Sequence, residues 1–109
     1  MSAPPIGALR RRLTLEAPVR TSEEGGAAVI DWSEVAIISA EVVAQSGREI
    51  VRADGLTGRL THEIVIRYRA DATPTMRFRD GERVFAIHAV LDVDGRRRWL
   101  KCLCEERLP

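Results

Sequence analysis

The residues best equipped for chemistry in this 109-residue chain are two cysteines and two histidines. Cys102 and Cys104 lie two apart on a predicted strand, so their side chains share one face at roughly 6 to 7 Å, too far apart for an easy disulfide. Neither the Cys-x-x-Cys spacing nor the nearby histidine pair of a metal site is present. We therefore interpret both cysteines as small apolar core residues.

His62 and His88 are equally isolated in the sequence. A catalytic histidine needs a nucleophile or a carboxylate placed beside it, and the sequence around these two histidines does not indicate such a partner. We interpret both as structural or solvated histidines. With no paired acids, activated nucleophile or metal ligands in the sequence, we expect neither enzymatic activity nor a cofactor.

Composition points to a single small domain over residues 1–109, with 45% hydrophobic and 30% charged residues. The formal net charge of +1 argues against a protein that coats nucleic acid non-specifically. No apolar run reaches the length of a membrane span, and Met1–Ile6 lacks the features of a signal peptide. We expect synthesis in the cytoplasm and no membrane partner.

Period-two alternation of apolar residues predicts strands, because alternate side chains of a strand share a face. The first predicted strand, Ala8–Glu16, ends before Pro18, and a mobile loop is expected over Thr21–Gly26. A second strand region, Val29–Val43, is interrupted near Trp32, which we expect to plug one end of the core. The remaining predicted strands form a meander with Asp-Gly turns: Leu60–Arg69, Met76–Arg79, Arg83–Val93 and Arg97–Glu106.

Ser46-Gly47-Arg48-Glu49 has the Ser-x-x-Glu form of a helix capping box, and Gly55 is placed to end a helix of about two turns. Six strands and one short helix predict an all-β fold, a small antiparallel β-barrel, because closure removes exposed strand edges. The predicted inward side chains are Leu13, Leu15, Ile64, Ile66, Tyr68, Phe85, Ile87 and Leu100.

Several segments, taken in order along nearly the whole chain, resemble the phage head-tail joining family, the head-closure or stopper proteins of tailed phages, prophages and gene transfer agents. The segments that carry the resemblance are Leu9-Arg10-Arg11-Arg12-Leu13, Trp32, Ala40-Glu41-Val42, Ser46-Gly47-Arg48-Glu49, Ile64–Arg69, Arg79-Asp80-Gly81, Phe85-Ala86-Ile87 and Asp92–Cys104.

The resemblance implies a non-enzymatic β-barrel in the neck of the virion. Such proteins form a homo-oligomeric ring, a hexamer or a dodecamer, between the adaptor on the portal side and the tail terminator or tail tube. Double-stranded DNA passes through the lumen without sequence specificity. The connection after the second strand is implicated in plugging this channel. The predicted channel gate or subunit interface here is therefore formed by Gln45, Ser46, Gly47, Arg48, Glu49, Ile50, Val51, Arg52, Asp54, Gly55 and Gly58.

A ring subunit also needs two different complementary surfaces. Arg10 and Arg12, on the outward face of the first strand, and Glu23 and Glu24, in the following loop, are candidate interface charges. Plain solvation of these charges is the alternative. The alternative functions are a small nucleic-acid-binding barrel, which needs surface aromatics in a basic groove, and another neck protein such as a tail terminator or adaptor.

Overall fold

A computed structural model describes residues 9–22, 26 and 28–107 of the chain. Within these ranges the fold is all-β, and six antiparallel strands close into a barrel in the order β1-β2-β3-β6-β5-β4. This confirms the predicted class and strand number. The strands are β1 (Arg11–Ser22), β2 (Ala28–Val51), β3 (Thr57–Arg67), β4 (Arg77–Asp80), β5 (Arg83–Asp92) and β6 (Trp99–Arg107).

Alternate apolar side chains from all six strands fill the barrel. The predicted inward residues are confirmed: seven are buried, and Tyr68 packs half-buried against them. Cys102 and Cys104 are fully buried free thiols in the same core. Burial raises the pKa of Cys102 to about 12 and that of Cys104 well above its ordinary value. Both cysteines therefore behave as apolar core residues, as predicted.

The β2 strand is unusually long, and two irregularities let it bend. Its 24 residues, at roughly 3.3 Å each, span about 79 Å, whereas the described chain extends only 50 Å in its longest direction. One irregularity lies where Val35 has no partner opposite the Leu15/Glu16 step of β1. At the other, between Ala44 and Arg48, three residues of β2 face one residue of β3. Such bulges bend a strand and increase its twist.

The prediction that Pro18 ends the first strand is wrong, because β1 continues to Ser22 and Pro18 pairs with Trp32. Proline is tolerated on an edge that needs no ladder donor. Here β4 pairs with β1 only at Thr14–Glu16, so the next stretch of β1 has β2 as its single strand partner among the described residues. Thr21 and Ser22 consequently lie in a strand, whereas residues 23–25 of the expected loop fall outside the described residues.

The predicted helix at Ser46 is also wrong, since residues 46–51 form the end of β2. The described part of the chain contains no helix, and hence none that could cross a membrane. Gly47 has a φ of +81°, which fits a bulge rather than a helical turn. The β-branched Ile50 and Val51 favour a strand, and pairing with β3 provides backbone hydrogen bonds that a two-turn helix could not match.

Candidate functional site

Two hairpin extensions project from the closed part of the barrel. The first arm is formed by Ala17–Ser22 of β1 and Ala28–Ser33 of β2, which pair with each other, and Glu16 pairs with Glu34 at its base. The second arm, residues 45–59, is formed by the end of β2, the turn after it and the start of β3. The second arm contains every residue of the predicted channel gate, so the gate prediction can be described as one structural unit.

A polar joint connects the first arm to the barrel. The buried carboxylate of Glu16 accepts hydrogen bonds from Arg77 Nε at 2.7 Å and Arg79 Nε at 2.9 Å. The Arg77 guanidinium carbon lies 4.1 Å from the centroid of the Trp32 ring, in the range of a cation–π contact. Trp32 is therefore half-buried on the arm and stacked against β4, rather than plugging the core as predicted.

The charges at this joint also determine the protonation of Glu16. Burial alone would raise the pKa of its carboxyl, but the hydrogen bonds and positive charges of Arg77 and Arg79 outweigh burial and lower it. The carboxylate therefore remains ionised at neutral pH, and the joint keeps both of its charge-assisted hydrogen bonds.

The second arm is a hairpin with a bulge at its base and polar contacts at its base and its turn. Gln45 donates from Nε2 to Glu63 Oε2 at 2.6 Å. Arg48 and Ile50 lie in the strand ladder opposite Leu60 and Gly58. At the turn, Arg52 forms an ion pair with Asp54 at 2.6 Å. The remaining predicted gate residues are Ser46, Gly47, Glu49, Val51 and Gly55, of which Val51 is 71% exposed and Gly55 has a φ of +85°.

Two backbone hydrogen bonds hold the second arm against β5 and β6, and a side-chain pair links their acceptors. The Ala53 amide donates to the carbonyl of His88 at 2.9 Å, and the Arg59 amide donates to Glu105 Oε1 at 3.1 Å. The same carboxylate oxygen lies 2.9 Å from Nε2 of the buried His88. A Cβ at Gly58 would lie 2.8 Å from His88 Nε2, so glycine permits this close approach. We call the His88–Glu105 pair and its two backbone contacts the tether.

The tether was not predicted from the sequence. His88 was visible as a polar residue between Ile87 and Ala89 of an apolar strand, but its partner lies 17 positions away on another strand. Burial alone would raise the pKa of Glu105, whereas the His88 and Arg59 hydrogen bonds contribute to a net lowering. His62, the other histidine, packs edge-on against Phe85 with ring centroids 4.9 Å apart. Both histidines are thus structural in the fold.

A cleft of about 560 Å³ lies between the two arms. Ile30 and Trp32 line it from the first arm, Arg52 lines it from the second, and Pro74 and His88 also contribute. No group of three or more possible metal ligands occurs in the described parts of the chain. Two hairpins flank the cleft, and its described lining residues bring no acid, base and nucleophile together.

A family model for phage head completion proteins matches residues 4–107. The chain belongs to the phage head completion protein family. This family consists of structural proteins of the virion, so the resemblance noted in the sequence is confirmed, and the protein has a structural role in the neck where head and tail meet.

Two solved structures share this head completion fold over almost their whole length. A chain from the virion of a native gene transfer agent particle is 33% identical, with a TM-score of 0.70, and the match covers 93% of this chain and 97% of that one. Protein SF1141 from Shigella flexneri 2a, solved in solution, is 30% identical with a TM-score of 0.68, covering 93% and 95%. No curated protein matches the chain.

The candidate interface charges of this head completion protein are only partly described. Arg12 in β1 and Arg10 just before it are exposed, as the sequence predicts for an outward face. Glu23 and Glu24 lie outside the described residues. The role of the two pairs as complementary ring surfaces therefore stays a prediction.

Proposed function

We propose that this head completion protein forms a ring in the neck of a phage or gene transfer agent particle, closes the DNA-filled head and receives the tail. The observation that carries the proposal is the family match over residues 4–107. The gene transfer agent chain, which is matched over nearly its full length, supports it. The adaptor on the portal side and the tail terminator or tail tube are the proposed neighbours.

The distribution of aromatic side chains favours this role over free nucleic-acid binding. Base stacking requires exposed aromatic faces. Phe78 and Phe85 are fully buried, Trp99 is 9% exposed, and Trp32 and Tyr68 are half-buried. In this proposal the DNA therefore passes through the ring without its bases stacking on aromatic side chains. The family match likewise favours head completion over a tail terminator or an adaptor.

The second arm is the proposed channel gate. Its exposed tip includes Val51 and Leu56, at 71% and 61% exposure, and these apolar side chains can form a seal with neighbouring copies. The gate is a hairpin and not a marginal helix, so its motion is that of a nearly rigid unit turning at the bulge around Gly47. Opening would require the tether to His88 to break.

Particles made without this protein test the general proposal. We expect filled heads that lack tails and lose their DNA, measured as nuclease-protected DNA per particle and as the fraction of tailed particles by electron microscopy. Tailed particles that retain DNA in its absence would contradict a head-closing role.

A shortened second arm tests the gate separately. Removing Ala53–Gly55 and closing the turn should leave the barrel folded, because these residues lie outside its core. We expect leakage of DNA or failure to join tails. The matched control removes Asp94–Arg96 from the exposed β5–β6 turn. If that control fails equally, the effect is not specific to the second arm. If shortening Thr21–Gly26 alone causes leakage, the gate is in that segment.

The oligomeric state offers a further test. The balanced charge and the scattered exposed apolar residues predict that the isolated protein is mostly monomeric and that the ring forms on the adaptor. Sedimentation at micromolar concentration should show a monomer, and a stable closed ring without partners would overturn this prediction.

A further inference from the structure

The first arm presents an unpaired strand edge on each side. On β1, the β4 ladder stops at Glu16, and on β2 the β3 ladder begins only at Ala40. Between these limits the two strands of the first arm pair with each other and with no other described strand. Pro18 removes one donor from the β1 edge, so Val19–Ser22 is the part best able to pair. An exposed edge of this kind is a template for another strand.

The edges also carry apolar side chains and charges of opposite sign. Val19 is 47% exposed, Val29 37% and Ile30 45%, which is a high proportion of large apolar residues for so short a ribbon. Arg20 on β1 and Glu34 on β2 project from the same face, because Arg20 pairs with Ile30 and Ile30 lies four residues before Glu34. Neither charge has an ion-pair partner among the described residues.

We propose that the first arms of neighbouring copies pair edge to edge, so that β1 of one copy extends the sheet beside β2 of the next. This inference rests on the proposed ring. In a ring with cyclic symmetry all arms point the same way, so β2 of one copy runs antiparallel to β1 of the next. The contact joins two different edges, which is the heterologous type that closes a ring.

The resulting assembly is a crown in which each copy contributes two strands. Six copies give twelve strands and twelve copies give twenty-four, both above the eight at which side chains fill a barrel, so the crown encloses an open lumen. A stagger of four residues between copies, of the kind that tilted strands of a closed barrel adopt, sets Arg20 of one copy opposite Glu34 of its neighbour on the same face. This register provides a charge pair across each boundary and places Thr21 opposite Ser33. Every unpaired edge of the first arm is satisfied in this arrangement.

Cysteine cross-linking in assembled particles tests the contact. Thr21→Cys and Ser33→Cys place thiols on the same face of opposite edges, and within one chain they are roughly 13 Å apart, four residues along a strand. We expect a short bifunctional thiol reagent to give a ladder of covalent oligomers that ends at the ring number. The native Cys102 and Cys104 are fully buried and do not compete.

Three control variants define the cross-linking result. Either single cysteine should give no ladder, since identical positions do not meet in a heterologous contact. Thr21→Cys with Val43→Cys should also give none, because Val43 lies where β2 already pairs with β3. A ladder from this pair, without one from Thr21→Cys with Ser33→Cys, would overturn the arm contact in favour of another surface.

Copy number separates failure of this contact from failure of the ring. If particles hold many copies of the protein but the Thr21→Cys/Ser33→Cys pair gives no ladder, the ring stands and the arm contact is wrong. A single copy per particle would overturn the proposed ring and this contact with it.

A charge exchange provides an independent readout that needs no cysteine. Arg20→Glu should cause a loss of tailed particles, because like charges then face each other at every boundary. Adding Glu34→Arg in the same chain should restore them. Within one chain the two positions are too far apart to form a direct pair, so restoration must come from neighbouring copies. No loss with Arg20→Glu, or no recovery in the double variant, would overturn the contact.

Discussion

The closed barrel and its two arms are held in place by different kinds of interaction. Fully buried apolar side chains from six strands stabilise the barrel. Each arm is a two-stranded ribbon, which buries little and is marginal on its own. A few charge-assisted hydrogen bonds at the barrel rim position the arms: Glu16 with Arg77 for the first, and Glu105 with His88 for the second. Arm orientation can therefore change while the barrel stays folded.

The largest expected effect is in the barrel. Ile66→Ala should lower the free energy of unfolding by about 2 to 5 kcal/mol, because Ile66 is 1% exposed and truncation leaves a cavity. Urea denaturation measures the change. Ile37→Ala on the exposed face of β2 is the matched control, with an expected change within about 0.5 kcal/mol. An unchanged midpoint for Ile66→Ala would mean that the inward register is wrong.

The first joint should contribute a smaller, pH-dependent amount. Glu16→Gln should cost about 1 to 3 kcal/mol at neutral pH, because it removes a charged acceptor from two arginines. The folded pKa of Glu16 lies below its ordinary value of 4.5. Its stabilisation is therefore complete above that value and disappears as the pH falls through the folded pKa.

The test for Glu16 is the difference in unfolding free energy between wild type and variant across pH. The difference should narrow in acid. Asp71→Asn, which disrupts the exposed pair with Arg69, is the control and should change stability by less than about 1 kcal/mol. A gap between wild type and Glu16→Gln that stays constant down to strongly acidic pH would contradict the proposed ionisation.

The tether should have a local effect. Glu105→Ala removes the acceptor for both His88 and the Arg59 amide, so hydrogen exchange at Ala53 and Arg59 should accelerate about tenfold while core amides stay protected. Glu106→Ala, on the next residue of β6, breaks an exposed pair with Arg83 and is the control. Equal acceleration in both variants would show that the tether does not hold the second arm.

The smallest expected effect concerns the reactivity of Cys102, which the Glu105→Ala substitution should leave unchanged. Cys102 should resist alkylation in the folded protein, because it is fully buried and burial raises its pKa to about 12. Glu105→Ala should leave this resistance intact, whereas Ile66→Ala should weaken it by making the barrel open more often. Rapid labelling in Glu105→Ala would mean that the arm and the barrel open together, which would remove the distinction between them.

Alternation of apolar residues was sufficient to predict the barrel but not the arms. The strands from Leu60 onward and the inward side chains follow from local patterns, since burial of one face leaves a period of two. Ser46-Gly47-Arg48-Glu49 matched a helix cap locally, but pairing with β3 overrode it. Proline ends most strands, yet Pro18 is tolerated because it lies on an edge of the sheet.

The polar joints were beyond prediction because they link distant positions. Glu16 meets Arg77 across 61 residues, and no spacing rule relates them. Trp32 was predicted to plug one end of the core, but it lies on the first arm and stacks on an arginine of another strand. Such contacts depend on which strands become neighbours. They can be predicted from the sequence only once the strand order of the barrel is known.

The narrow seam between β1 and β4 has a consequence for how the chain reaches its native state. This seam consists of three residue pairs, Thr14–Glu16 with Arg77–Arg79, and it closes the barrel. Contacts distant in sequence form late, because the intervening chain must first lose its freedom. We expect β1 and β4 to join last during folding, at a rate set by this closure. A newly made chain would therefore expose both seam strands for a time, and that interval is when it is most prone to aggregate.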